Sequence, residues 1–247
     1  TALRFTGVAG VQLTVLGNVR GGSGGSAYGI NHAGAGNVVV TGDVTGGPGS
    51  NSHGIESGPG SVSITGNVTA GSVGWSPGLY NGTGSASITG NVTGGKAPGA
   101  HNDSGTIIIT GDVTGGPYSY GYGASNNSGT IAITGNVTGG AYSNAHGVNN
   151  TSGTVTITGD VFNNVGYGVY NNTGTVTIYG SAKPNPANPL GNHVLYHDST
   201  TAGYIAVDTI EPDPTVLIFP SIRGRVYIRD TNTGYIRMYD TQGQLKT

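Results

Sequence analysis

The sequence predicts an all-β chain: a parallel β-solenoid of about seven coils of 21–24 residues, followed by a small C-terminal β segment. Three observations predict it. The first is repetition: "SGTIIITGDVTGG" at 104–116, "SGTIAITGNVTGG" at 128–140 and "SGTVTITGDVFNN" at 152–164. The second is alternation within each phrase, where Val155, Ile157 and Val161 share a parity opposite to Thr154, Thr156 and Thr158. Period 2 with β-branched residues is a half-buried strand. The third is that Gly, at 49 residues of 247, is periodic rather than scattered, and periodicity separates a repeat fold from a disordered Gly-rich chain.

The repeat is measured from two glycines. A "G-[N/D]-V" step falls at Gly17, Gly42, Gly66, Gly90, Gly111, Gly135 and Gly159, with a degenerate copy at Gly180, at intervals of 25, 24, 24, 21, 24, 24 and 21. A second glycine precedes a mostly aliphatic residue at Gly29, Gly54, Gly78, Gly99, Gly123, Gly147 and Gly168. The distance from the second marker to the next step is 12 residues, once 13; the return distance is 12 or 9. Both three-residue deletions therefore fall in one segment, "GGPYSYGY" and its equivalents. Constant length marks structure and variable length marks a surface loop.

The strand columns follow in order. A weak strand at the second marker carries Ile30, Ile55, Leu79, Ala100, Ala124, Val148 and Val169. The main strand carries Val62, Ala86, Ile107, Ile131, Val155 and Val176, then Val40, Ile64, Ile88, Ile109, Ile133, Ile157 and Ile178. After the glycine step come Val44, Val68, Val92, Val113, Val137 and Val161. One repeat cannot close a core, but stacked repeats can. Coils about 4.8 Å apart give a rod of about 35 Å. A propeller blade needs about 40 residues, and nothing here has a helical period.

Polar columns accompany the apolar ones. Asn81, Asn102, Asn126, Asn150 and Asn171 share one position, where amides can hydrogen-bond along the axis as a structural ladder. Gly60, Gly84, Gly105, Gly129, Gly153 and Gly174 share another, expected to be a turn with positive φ. Asn18, Asp43, Asn67, Asn91, Asp112, Asn136 and Asp160 fill the step column with no two aspartates adjacent. This reads as spacing of like charge, with Asn donating to Asp.

Residues 1–182 resemble the parallel β-helix proteins of phage fibres and tailspikes, bacterial surface adhesins and polysaccharide lyases. The resemblance implies an extracellular or virion location and contact with other virion or cell-surface proteins and with glycans. It also implies a homo-oligomer, a trimer by analogy. It implies no single activity, since one scaffold serves many functions. The expected role is a non-enzymatic virion fibre, spike or decoration component, acting in attachment or as a rigid spacer. A bacterial adhesin, an ice-binding solenoid and a polysaccharide-degrading enzyme are the alternatives.

Composition bounds these readings. Charged residues make up 8% and the net charge is −2, so no basic field serves nucleic acid or anionic lipid. With so few charges, stability is expected to resist changes of pH and salt. There is no cysteine. The longest aliphatic and aromatic run, "VLIF" at 216–219, is too short for a membrane span. No cofactor motif is present. The chain opens on Thr1 rather than Met, without a signal peptide, and the first coil has no obvious cap. That end is expected to be covered by a partner or an upstream segment.

Sugar hydrolysis needs paired carboxylates. Of the solenoid's acids, Asp43, Asp112 and Asp160 belong to the step column, which leaves Glu56 and Asp103, two coils or roughly 10 Å apart, read as structural. The basic residues there are Arg4, Arg20 and Lys96. His193 and His197 have i, i+4 spacing in a segment that reads as strand, so they sit about 13 Å apart and no metal site is expected. The N-x-[S/T] triplets arise from the repeat. Outward threonines Thr41, Thr65, Thr89, Thr110, Thr134 and Thr158 form one regular rank, but the neighbouring rank is broken by Ile108 and Ala132.

Aromatic residues gather at the variable loop and its edge: Trp75, Tyr80, Tyr118, Tyr120, Tyr122, Tyr142, Tyr167 and Tyr170. Trp75, Tyr118, Tyr120 and Tyr142 are the candidate binding surface, since exposed rings beside Asn and Ser suit sugar stacking. Tyr28, Tyr122 and Tyr167 precede the marker glycine and are expected to pack at a corner. After Gly180 the pattern stops. Residues 183–192 read as a Pro-rich linker. Residues 193–247 read as a small cap or attachment segment, with strands at 225–230 and 235–240 around a "TNTG" turn.

Overall fold

The computed structural model describes residues 1–142, 144–163 and 166–184, and beyond them strands at 195–197, 204–210, 219–220, 225–229, 236–239 and 245–246. The chain is a parallel β-solenoid of about seven regular turns, and the described residues contain no helix. Each coil contributes three strands, and each strand pairs in register with its copy one coil away. The faces follow from sequence parity.

Face 1 stacks three-residue strands: Ile30–His32, Ile55–Ser57, Leu79–Asn81, Ala100–Asn102, Ala124–Asn126, Val148–Asn150 and Val169–Asn171. Their outer residues point inward and the middle residue outward. Face 2 stacks Asn37–Thr41, Ser61–Thr65, Ser85–Thr89, Thr106–Thr110, Thr130–Ile133 and Thr154–Ile157, and the start of Thr175–Pro184. Face 3 is short: Val44–Thr45, Val68–Thr69, Val92–Thr93, Val113–Thr114, Val137–Thr138 and Val161–Asn163. Pairing is strict, as in Val62↔Ala86↔Ile107↔Ile131↔Val155↔Val176. A slip of one residue would turn every Ile and Val of face 2 outward.

The apolar columns are the core. From Val38 to Ile178 their members are at most 2% exposed. Each buried Val, Leu or Ile contributes about 1.5–3 kcal/mol of transfer free energy, and the columns repeat it coil after coil. The first coil, with one neighbour, leaves Leu3, Phe5, Leu13 and Val15 only partly buried.

The Gly60 column works differently from the expectation of positive φ. Positive φ among the described residues falls instead at glycines such as Gly17 (127°), Gly42 (145°) and Gly66 (150°), in the step column. At the Gly60 column the constraint is closeness. A Cβ on Gly84, Gly105 or Gly129 would lie 2.1 Å from the carbonyl oxygen of the glycine one coil earlier. Coils approach there backbone to backbone, and only hydrogen fits.

Two side-chain ladders run along the axis. In the inner one, Asn81 Nδ2 donates to Asn102 Oδ1 (2.9 Å), Asn102 to Asn126 (3.0 Å), Asn126 to Asn150 (3.0 Å) and Asn150 to Asn171 (2.8 Å). Each amide also donates to the carbonyl three residues ahead, such as Asn126 to Gly129 O at 2.9 Å. The outer ladder is the Asn/Asp step column, and it does not work by Asn donating to Asp. Each side-chain Oδ1 accepts the backbone N–H of the next coil's Asx: Asp43 N to Asn18, Asn67 N to Asp43, Asn91 N to Asn67, all at 2.8–2.9 Å. The series continues to Ser181 N on Asp160 Oδ1. Because only an acceptor oxygen is used, Asn and Asp serve equally, which accounts for their interchange.

Parallel pairing runs on past residue 182. Leu195–His197 stacks on Val169–Asn171, and Tyr204–Ile210 on Thr175–Pro184. Arg225–Arg229 then pairs parallel with Tyr204–Val207 and antiparallel with Ile236–Tyr239. Residues 185–192 of the predicted linker, together with His193, lie outside the described residues. Among the described residues no helix is long and apolar enough to cross a membrane.

Candidate binding surface

The loop between face 3 and the next face 1 carries the sequence variation, and its edge carries the rings. Two columns line that edge. One is the residue before the marker glycine: Tyr28, His53, Pro77, Pro98, Tyr122, His146 and Tyr167. The other is the outward middle residue of face 1: Asn31, Glu56, Tyr80, His101, Ser125, Asn149 and Tyr170. Strand parity and coil register alone bring these residues together.

All four predicted surface residues are exposed: Trp75 by 42%, Tyr118 by 45%, Tyr120 by 59% and Tyr142 by 49%. They do not form one patch. Tyr118 and Tyr142 stack at 5.8 Å, with the Lys96 ammonium 4.6 Å from the Tyr118 centroid. Tyr120 meets Tyr122 edge-on at 6.2 Å. Trp75 lies apart from these, in a cluster that the sequence did not announce.

The rings of that first cluster come from four successive coils. Trp75 stands nearly perpendicular to His53 (5.7 Å) and His101 (5.7 Å), and Tyr80 stacks on His101 at 5.2 Å. Tyr28 meets His53 edge-on at 5.0 Å. Asp103 accepts a short hydrogen bond from the Tyr80 hydroxyl, pairs with His101 Nε2 at 3.1 Å, and accepts Asn127 Nδ2 at 2.8 Å. On the other side Glu56 accepts Asn31 Nδ2 at 3.2 Å, and His53 Nδ1 lies 4.0 Å from it. That His53 nitrogen is buried and makes no hydrogen bond. The loop after Trp75's coil is short, Gly94–Gly99 where the preceding one is Ala70–Gly78, and Trp75 reaches across the coil boundary to His101.

The second cluster lies at the other deletion. His146 stacks on Tyr122 (5.4 Å) and Tyr170 (5.2 Å), with Tyr167 tilted against it at 5.1 Å. Tyr122 and Tyr167 thus pack at the corner on the His146 ring.

The protonation states follow from burial. His53 is pushed down to about 4 by desolvation and by the neighbouring His101. His146 is pushed down to about 4 by desolvation alone. His101 is lowered by burial against the opposing pull of Asp103. Burial pushes Asp103 up, but hydrogen bonds from Tyr80, His101 and Asn127 outweigh it and hold the carboxyl below its usual range. Tyr80 is raised to about 12, first by its bond to Asp103, then by burial and by the charges of Asp103 and Glu56. The histidines of the edge are therefore neutral at neutral pH, and the carboxyl groups of Glu56 and Asp103 lie beside those of the first cluster.

In the sequence Glu56 and Asp103 stand as isolated structural acids, and nothing in their spacing connects the histidines. One signal was present: His53, His146, Tyr28, Tyr122 and Tyr167 share a column, and Tyr80 and His101 share the next. Face 2 presents its outward ranks as expected, with Thr65, Thr89, Thr110 and Thr134 exposed and Ile108 protruding between them. Comparison of the chain with protein-family models, curated proteins and solved structures finds no match.

Proposed function

We propose that the protein is a non-catalytic rigid rod that holds a contact surface away from its base, in attachment at a virion or cell surface. One observation carries the reading. The edge that varies in length is also the edge that displays rings, from Tyr28 to Tyr170, on a scaffold whose core columns and ladders stay regular. A binding protein keeps its scaffold constant and varies what it displays. The electrostatics speak in the same direction. Proton transfer near neutral pH needs a base or acid tuned towards 7, whereas Tyr80 is driven up to about 12 and Asp103 downward.

The test removes the exposed rings together. Trp75→Ser, Tyr118→Ser, Tyr120→Ser and Tyr142→Ser in one chain should leave the far-UV spectrum and melting temperature near wild type and abolish attachment to cells or isolated envelopes. Unchanged attachment would overturn the reading, as would polysaccharide turnover that disappears in Glu56→Gln or Asp103→Asn. Recovery of the chain from purified virions supports a fibre or decoration component, and recovery from bacterial envelopes an adhesin. Ice binding predicts silence from loop changes and thermal hysteresis lost in Thr110→Tyr.

A further inference from the structure

We infer that the two aromatic clusters are two subsites for a single ligand: an extended, uncharged glycan lying parallel to the rod axis. This rests on the contact reading above and names the partner's chemistry.

The charge balance selects the ligand class. Glu56 and Asp103 flank the first cluster, and its histidines are neutral at pH 7. Lys96 lies outside that cluster, with its ammonium over the Tyr118 ring. A uronate or sialylated chain would bring further carboxylates against Glu56 and Asp103, whose ion-pair partners among the described residues are histidines rather than lysine or arginine. A neutral sugar instead finds the exposed Trp75 ring for its C–H face and part-exposed carboxylate oxygens that accept hydrogen bonds from its hydroxyls.

The geometry selects the ligand's direction. Trp75 and His146 belong to coils three repeats apart, about 14 Å along the axis. Tyr118 and Tyr120 belong to the coil before that of His146 and Tyr142 to the same coil, all exposed, with Tyr118 and Tyr142 stacked across the coil boundary. In-register ladders hold the intervening coils, so the separation is fixed. Both clusters sit where a three-residue deletion shortens the loop of the following coil. The rings next to each shortened loop lie on the same edge of the solenoid, the one between face 3 and face 1.

The test is calorimetric titration with neutral gluco-oligosaccharides of two to twelve units and with galacturonate oligomers of the same lengths. Affinity for the neutral series should rise with length and gain about a hundredfold once one chain reaches both clusters, as expected when a second contact becomes intramolecular. Trp75→Ala in the first cluster or Tyr170→Ser in the second should each return long chains to the affinity of short ones, with an unchanged far-UV spectrum. Galacturonate binding as tight as neutral binding overturns the charge argument. A length series that is flat beyond three units overturns the two-subsite argument. If no oligosaccharide binds but the four-ring variant still loses attachment, the ligand class is wrong and the contact surface stands. If attachment also persists, both readings fall.

Discussion

Removing one amide from the inner ladder should cost far more than its size suggests. Asn126 is fully buried at the midpoint. Its Oδ1 accepts Asn102 at 3.0 Å, and its Nδ2 donates to Gly129 O at 2.9 Å and to Asn150 Oδ1 at 3.0 Å. In Asn126→Ala, Gly129 O keeps the N–H of Thr154 and Asn102 keeps Gly105 O. Asn150 Oδ1 keeps nothing. Three hydrogen bonds at about 1 kcal/mol each, plus a penalty of about 1–3 kcal/mol for one orphaned buried acceptor, place the loss at about 4–6 kcal/mol. Asn126→Asp sharpens the test. It preserves shape but replaces the donor with a second acceptor facing Asn150 Oδ1, and it should be at least as damaging. Urea unfolding followed by far-UV circular dichroism reads both, with the outward Asn149→Ala as a control expected within about 0.5 kcal/mol of wild type. A loss below about 1 kcal/mol for Asn126→Ala, or a neutral Asn126→Asp, would refute the ladder as a source of stability.

Two further outcomes follow from the same structure. Asn81 Oδ1 and Ser57 Oγ are buried without partners, because serine is too short to continue the ladder; Ser57→Asn should supply the missing donor and raise stability by about 1 kcal/mol, and a lower urea midpoint would contradict this. The pH dependence is less flat than a charge-poor chain implies, because the folded state lowers His53 and His146 from 6.5 to about 4. The unfolded chain binds those protons first. Stability is thus complete above about pH 6.5 and falls as the pH drops toward 4, by up to about 3 kcal/mol per histidine. His146→Phe should flatten that acid limb in thermal melts while the melting temperature stays insensitive to salt; an unchanged limb would sink the assignment.

The fold was legible because each of its determinants is local and repeated. Val155, Ile157 and Val161 state a strand parity, and five other coils state the same one. The function of the glycines was less legible. Gly60 and Gly66 look alike in a sequence, yet one is fixed by a neighbouring backbone and the other by its own dihedral angle. The exposed rings could be named from loop position. Their grouping could not, because Trp75 meets His101 only through a loop deletion one coil away, and distances across coils are not written in sequence separation. For the same reason Asp103 looked solitary, although Tyr80, twenty-three residues earlier, lies one strand over and donates to it.

The outer ladder carries a consequence for the ageing of the rod. Asparagine side chains hydrolyse slowly to aspartate, and in most buried networks that exchange of a donor for an acceptor breaks a bond. Here Asn18, Asn67, Asn91 and Asn136 lend only an oxygen to the backbone N–H of the next coil. Hydrolysis at any one of them leaves that oxygen in place and adds one charge at an exposed position, next to an aspartate of the adjacent coil. The inner amides have no such tolerance, but they are sealed from the water the reaction consumes. The rod thus keeps its replaceable amides at the surface and its irreplaceable ones dry.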